Sequence, residues 1–347
     1  MNIEVRTRLE PFKRASVILL CILFFSFSAI AQVCRVAGPT SLDGTLEGAQ
    51  RGDVRAMLRV GKAFYHGGIR SERSYYDAAK WFEVAANSGS AEAKAWLGSS
   101  YLFGLGVKPD LIRGKDLIEA AANEGNPVGI RFLGMMYRRG VGVPRDYPKA
   151  ISLLTRAAEQ GDGYSYNALG EIYQHGFGVD RNLLTARSMY EKGAALGDGW
   201  SLLHLGEIYA TGDRATGRNR NFAKALNLYS AAVRAGNPVA PFRIGKLYET
   251  GVFGNPDGKK IFDCYQQSAM RGLAIAQLQV GKAYERGVGT DVNPLEAYVW
   301  YSLSSERNNR EATNLRELLT DKLSYEQMAE ARALLIRRRK VTGRILR

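Results

Sequence analysis

Histidine and cysteine are scarce in this chain of 347 residues, with three of each. No His-Glu-x-x-His, no Gly-x-Ser-x-Gly and no Cys-x-x-Cys occurs. Zinc-peptidase, serine-hydrolase and dithiol chemistry therefore have no motif to stand on. Turns such as residues 140–143 and 176–179 resemble phosphate-binding loops, but they lack a preceding strand and a Lys-Ser/Thr pair. No catalytic residue, no metal and no cofactor is expected. Acidic residues are missing from 332–347, which carry seven basic ones. The formal net charge of +14 therefore sits largely at the ends. Without residues 1–31 the chain has 44 basic against 32 acidic residues, and without the basic end about +5 remains.

Residues 1–14 are polar, with Arg6, Arg8, Lys13 and Arg14, and residues 15–30 are almost wholly apolar. The apolar run falls short of the ~20 residues a spanning helix prefers. Ala29-Ile30-Ala31 before Gln32 fits a signal-peptidase site. The expectation is a signal peptide over 1–31, cleaved after Ala31, and a periplasmic or secreted product; an uncleaved anchor is the alternative. Export argues against nucleic acid as a partner. Cys34 and Cys264 would remain after cleavage, too far apart along a linear stack to be expected to form a bridge.

The rest of the chain is a repeat. Residues 126–161 show its parts. Asn126-Pro127 starts a helix, Gly129, Leu133 and Tyr137 share one side of it, and Gly140 stops it. Asp146 can cap a second helix, with Ala150, Leu153, Leu154 and Ala157-Ala158 on its apolar side, and Gly161 ends it. A helix glycine recurs at Gly61, Gly98, Gly134, Gly170, Gly206, Gly245 and Gly281, at intervals of 37, 36, 36, 36, 39 and 36. Three residues later stands an aromatic: Phe64, Tyr101, Tyr137, Tyr173, Tyr209, Tyr248, Tyr284. Three further on is a terminating glycine: Gly67, Gly104, Gly140, Gly176, Gly212, Gly251, Gly287. Five before the helix glycine the residue is always small: Ala56, Ala93, Gly129, Ser165, Ser201, Ala240, Ala276. A helix glycine costs roughly 1 kcal/mol against alanine. Seven of them imply that another helix passes too close for a side chain, and the tyrosine ring is expected to fill the gap between layers.

The columns resemble the Sel-one-like repeat family, relatives of the tetratricopeptide repeats. Repeat three carries the family pattern from Gly129 through Leu133-Gly134, Tyr137, Gly140, Gly142 and Val143 to Ala157-Ala158 and Gly161. The resemblance covers about residues 41–308 and implies an all-α, right-handed solenoid of seven helix-turn-helix repeats. It implies a binding scaffold, in similar exported bacterial proteins for periplasmic signalling, exopolysaccharide control, envelope maintenance or host contact. Cysteine-rich members are described as penicillin-binding or β-lactamase-like, but their paired cysteines are absent here, which counts against a hydrolase.

At 100° per residue, the small residue, leucine, glycine and tyrosine fall within an arc of about 140°. The opposite side varies between repeats: Lys62, Tyr65 and His66; Ser99, Leu102 and Phe103; Arg131, Met135, Arg138 and Arg139; Glu171, Gln174 and His175; Glu207, Ala210 and Thr211. Constant packing columns beside a varying face suit a binding frame. The expected site for a protein or peptide partner is Arg131, Met135, Arg138, Arg139, Glu171, Gln174 and Glu207. His66 and His175 stand three repeats apart, and His204 lies on another column, so no shared catalysis is expected. Residues 32–52 read as a linker and capping half-repeat, with Asp53 capping the next helix rather than completing an Arg-Gly-Asp adhesion motif. Residues 53–308 hold the repeats. Residues 309–340 read as capping helices, with Ala312, Leu315, Leu318 and Leu319 inward on the first. On the last, Ser324 and Gln327 form a capping box, and Met328, Ala331, Leu334 and Leu335 face inward. The basic end, Arg337 to Arg347, offers a second binding mode, toward an anionic glycan or lipid surface of the envelope.

Overall fold

Each repeat is a hairpin whose two helices start and stop on side-chain signals. The computed structural model describes residues 43–66, 74–212, 217 and 219–342. The signal-peptide segment, Cys34, Gly67 and residues 343–347 lie outside them, as does most of the 214–219 insertion of repeat five. Among the described residues there are 17 helices and no strand. After α1 (Asp43–Gln50) come seven hairpins. They are α2 (Val54–His66) with α3 (Tyr75–Asn87), α4 (Ala91–Phe103) with α5 (Leu111–Asn123), α6 (Pro127–Arg139) with α7 (Tyr147–Glu159), and α8 (Gly163–His175) with α9 (Leu183–Ala195). Then follow α10 (Gly199–Thr211) with α11 (Phe222–Arg234), α12 (Ala240–Glu249) with α13 (Gly258–Met270), and α14 (Ala274–Arg286) with α15 (Pro294–Ser305). The chain continues into α16 (Arg310–Thr320) and α17 (Tyr325–Val341).

All seven second helices are capped by a side-chain oxygen, from Ser74, Asp110, Asp146, Asn182, Asn221, Asp257 and Asn293 in turn. Each such cap is worth about 1 kcal/mol. Gly104, Gly140, Gly176 and Gly287 end their helices in the left-handed region that glycine tolerates. Gly212 departs from this column, with φ 87° and ψ 145°, at the point where the insertion of repeat five leaves the helix. Asp53 accepts from the N–H of Arg55 and Ala56, which accounts for it as a cap.

The helix glycines are explained by residues about 20 positions downstream, on the second helix of the same repeat. A Cβ at Gly170, Gly206, Gly245 or Gly281 would lie 2.4–2.6 Å from the ring of Tyr190, Tyr229, Tyr265 or Tyr301. Phe82 plays this part for Gly61 and Leu154 for Gly134, while at Gly98 both Ile118 and the backbone of α5 intervene. This buried column fills the space over the helix glycines, and the first-helix aromatics join the packing to different extents, with Tyr101 buried in the core. Tyr137, Tyr173 and Tyr209 are only half-buried. Tyr137 lies under Lys149, whose ammonium sits 4.2 Å from the ring centre and donates to the phenol oxygen. The small column packs repeat on repeat: a Cβ on Gly129 would meet Ala121 of the preceding second helix at 2.7 Å. The product is a solenoid of seven repeats, and first helices of neighbouring repeats touch directly, α4 with α6 and α8 with α10.

The capping box of Ser324 and Gln327 is present, and Met328, Ala331 and Leu335 are buried. Leu318, however, is 58% exposed, because the inward side of α16 is filled by Ala312 and Leu319. Two arginines of the basic end serve the fold. Arg338 donates to Glu296 at 2.6 Å and lies 5.0 Å from the Trp300 ring centre, and Arg339 binds Glu306. These pairs tie α17 to repeat seven, Arg338 largely buried in its pair and Arg339 half-exposed. Cys264 is fully buried and disulfide-bonded.

Candidate partner-binding groove

The direct contact between successive first helices places their variable face on one continuous surface. A cavity of about 530 Å³ runs along it, from Tyr65 on α2 to Trp200 on α10. Leu102 and Phe103 from α4 and Phe132, Met135 and Met136 from α6 supply its apolar wall. Phe103 is 48% exposed, because it is the last residue of its helix and Gly104 turns the chain away beneath it. Arg131, Met135, Arg138, Arg139 and Glu171, all expected at the site, are brought together here. Gln174 and Glu207 are not: they line a separate cavity of about 310 Å³ with Tyr190 and His204.

Most of the charged members are already paired. Arg131 forms an ion pair of 3.1 Å with Asp162, both largely buried, and its guanidinium lies 4.4 Å from the Phe132 ring centre and 5.0 Å from that of Tyr164. Arg138 donates to Glu171 at 2.8 Å. The other Glu171 oxygen faces His204 Nε2 at 3.9 Å, His204 Nδ1 faces Glu207 at 3.5 Å, and Glu207 pairs with Arg243 at 2.7 Å. Alternating charges thus link α6, α8, α10 and α12.

Burial alone would lower the His204 pKa, but its two carboxylate partners outweigh that and raise it to about 9. Burial would raise Glu171, but the bond to His204 and the Arg138 guanidinium hold it down at about 2. Glu207 is likewise depressed by His204 and Arg243 against the effect of burial. The imidazolium stacks on Tyr190 at 4.7 Å, and the Tyr190 hydroxyl donates to Gln174 at 2.8 Å. Arg131, Arg138, Glu171, Gln174 and Glu207, all expected at the partner site, are thereby held by partners within the chain. Each pairs with a residue on a different helix, a proximity invisible within any one helix.

Arg139 differs: it is exposed, and no hydrogen bond or ion pair holds it among the described residues. Partial desolvation and the neighbouring Arg138 lower its pKa, and the charge of Glu171 opposes them in part. Sequence reasoning passed over Tyr164 and Trp200. Both stand six residues before their helix glycine, an aromatic register that inspection of the columns would have found. The arrangement presents an apolar trough with one arginine, Arg139, that forms no ion pair among the described residues. His66 packs on Trp96 and His175 on Phe177.

The Sel1 repeat model matches seven times, at residues 54–90, 91–126, 127–162, 163–198, 201–237, 238–273 and 274–309. The chain belongs to the Sel1 repeat family. Sel1 repeat proteins mediate protein–protein interaction. A solved Sel1 repeat protein from Oxalobacter formigenes is 28% identical, aligning with 66% of this chain and 98% of its own at a TM-score of 0.50. A protective antigen with an SLR fold, present in uropathogenic Escherichia coli strains, is 24% identical over 87% of this chain and 72% of its own, with a TM-score of 0.41. The immunity protein Pa5087 from Pseudomonas aeruginosa is 21% identical over 62% and 81%, with a TM-score of 0.49. Among curated proteins no relative matches.

Proposed function

We propose that this Sel1 repeat protein is an exported, non-catalytic scaffold that receives an extended segment of a partner protein in the groove of its first helices. The observation that carries the reading is the apolar trough crossing consecutive repeats, with exposed Phe103 at its edge and the surrounding charges fixed by the frame. Aromatic and Met residues in a concave, partly desolvated surface are the usual anchors of such contacts. Export rests on the pattern of residues 1–31, and a disulfide at Cys264 is of the kind that persists outside the cytoplasm.

Photocrosslinking from position 103 or 135 in intact cells is expected to trap a protein, and Phe103→Asp is expected to abolish the adduct formed from position 135. An adduct that survives Phe103→Asp refutes the groove. Export is checked by sequencing the mature N-terminus, which is expected to begin at Gln32; a start at Met1 refutes cleavage.

A further inference from the structure

The groove carries three arginines, and two of them are neutralised internally: Arg131 by Asp162 and Arg138 by Glu171. Arg139 is left over, exposed, with Arg138 beside it in sequence and no hydrogen bond or ion pair among the described residues; Glu171 attracts it only at a distance, its carboxylate being bound by Arg138. Arg139 lines the same cavity as Phe103 and Met135. Phe103 and Arg139 also hold the same register, each five residues after its helix glycine and one before its terminating glycine. They therefore sit at equivalent points on neighbouring first helices, α4 and α6. Packed helices lie ~10 Å apart, and an extended chain advances about 3.3 Å per residue. A segment crossing the helices would thus take about three residues to pass from Phe103 to Arg139.

We propose that the groove selects an acidic–apolar segment of a partner protein, with a bulky apolar side chain seated against Phe103 and Met135. A Glu or Asp about three residues away pairs with Arg139. This rests on the groove reading above and adds the partner's chemistry to it. A basic segment would meet a cation that forms no ion pair, while the nearby Glu171 is already bound by Arg138 and faced by His204. A purely apolar one would leave Arg139 partly desolvated and unpaired, which is unfavourable. Phe132 and Tyr164 do not substitute for the anchor, because Arg131 already lies against both rings.

The test is selection of phage-displayed random octapeptides on the full chain in three forms: unaltered, Arg139→Glu and Phe103→Asp. Both sites are exposed, and circular dichroism verifies that each variant is folded. Peptides enriched on the unaltered chain are expected to carry Glu or Asp two to four residues from Phe, Leu, Met or Trp. Resynthesised with a fluorophore, the best of them is expected to weaken by about tenfold or more on Arg139→Glu, the scale of losing one ion pair and gaining a like charge. It is also expected to weaken with rising salt and to be lost on Phe103→Asp. Enriched peptides without acidic residues, or indifferent to Arg139→Glu but lost on Phe103→Asp, overturn the charge selection and leave the groove standing. Peptides indifferent to both variants bind elsewhere and overturn the groove itself. No enrichment at all overturns both.

Discussion

Gly170→Ala tests the packing logic of the repeat most directly. By helix propensity alone the change stabilises, by roughly 1 kcal/mol. The added Cβ, however, would lie 2.4, 2.7 and 2.9 Å from three ring atoms of Tyr190, where ordinary contact is ~3.5–4.0 Å. The ring must retreat by about 1 Å. It has nowhere to go: Tyr190 is fully buried, stacked on His204 at 4.7 Å and tethered to Gln174 at 2.8 Å. Overpacking of this kind costs about 1–3 kcal/mol, and loosening the tyrosine hydrogen bond adds about 1 kcal/mol. The expected net destabilisation is about 2 kcal/mol, read as a lower urea midpoint by far-ultraviolet circular dichroism.

Repeat three supplies the control. There the atoms over Gly134 are Leu154 Cγ at 3.0 Å, Leu154 Cδ2 at 3.2 Å and Leu153 Cβ at 3.3 Å from the added carbon, so the neighbours need give by only a few tenths of an ångström. Gly134→Ala should therefore lie within about 1 kcal/mol of the parent. In a Tyr190→Leu background, Gly170→Ala should lose most of its penalty. A Gly170→Ala protein as stable as the parent, or a penalty that persists beside Tyr190→Leu, would refute the assignment of the ring to that glycine.

The charge chain makes stability depend on pH from both sides. His204 rises from 6.5 to about 9 on folding, so its contribution is complete below pH 6.5 and fades as pH climbs through 9. Glu171 falls from 4.5 to about 2, so its contribution is complete above pH 4.5 and fades as pH drops through 2. The groups facing them are Arg138, Glu207 and Arg243, with Tyr190 held neutral by burial. Urea midpoints taken across pH 6–10 should decline, and His204→Gln should flatten that decline; an unchanged slope counts against the network. Gln277 is fully buried, donating to the Ala269 carbonyl and accepting from Arg307. Gln277→Leu is therefore expected to cost about 1–3 kcal/mol, visible as a lower melting temperature. Arg338→Ala removes the partner of Glu296 and the cover over Trp300. Faster amide exchange confined to 325–341 is expected, and unaltered exchange would mean that α17 is held by apolar contacts alone.

Local signals made the hairpins readable before any coordinates. Asp146 caps the second helix of repeat three as its position implies, Gly140 ends the first in the left-handed region, and Ser324 with Gln327 form their box. These features act within four residues of chain, and a 36-residue period multiplies them. The varying face was legible as well, because contrast between repeats needs no third dimension. Tyr190 over Gly170, by contrast, joins residues 20 apart on different helices. The pairs Arg138–Glu171 and Arg131–Asp162 span neighbouring repeats, 33 and 31 residues apart. Spacing along the chain showed only that some helix comes close to each glycine; which ring fills the gap, and that Arg139 forms no ion pair among the described residues, follow from how the helices are stacked. The chain by itself determined a stacked array with a variable inner surface. The tertiary structure alone decided which charges on that surface belong to the frame, since electrostatic pairing depends on distance through space.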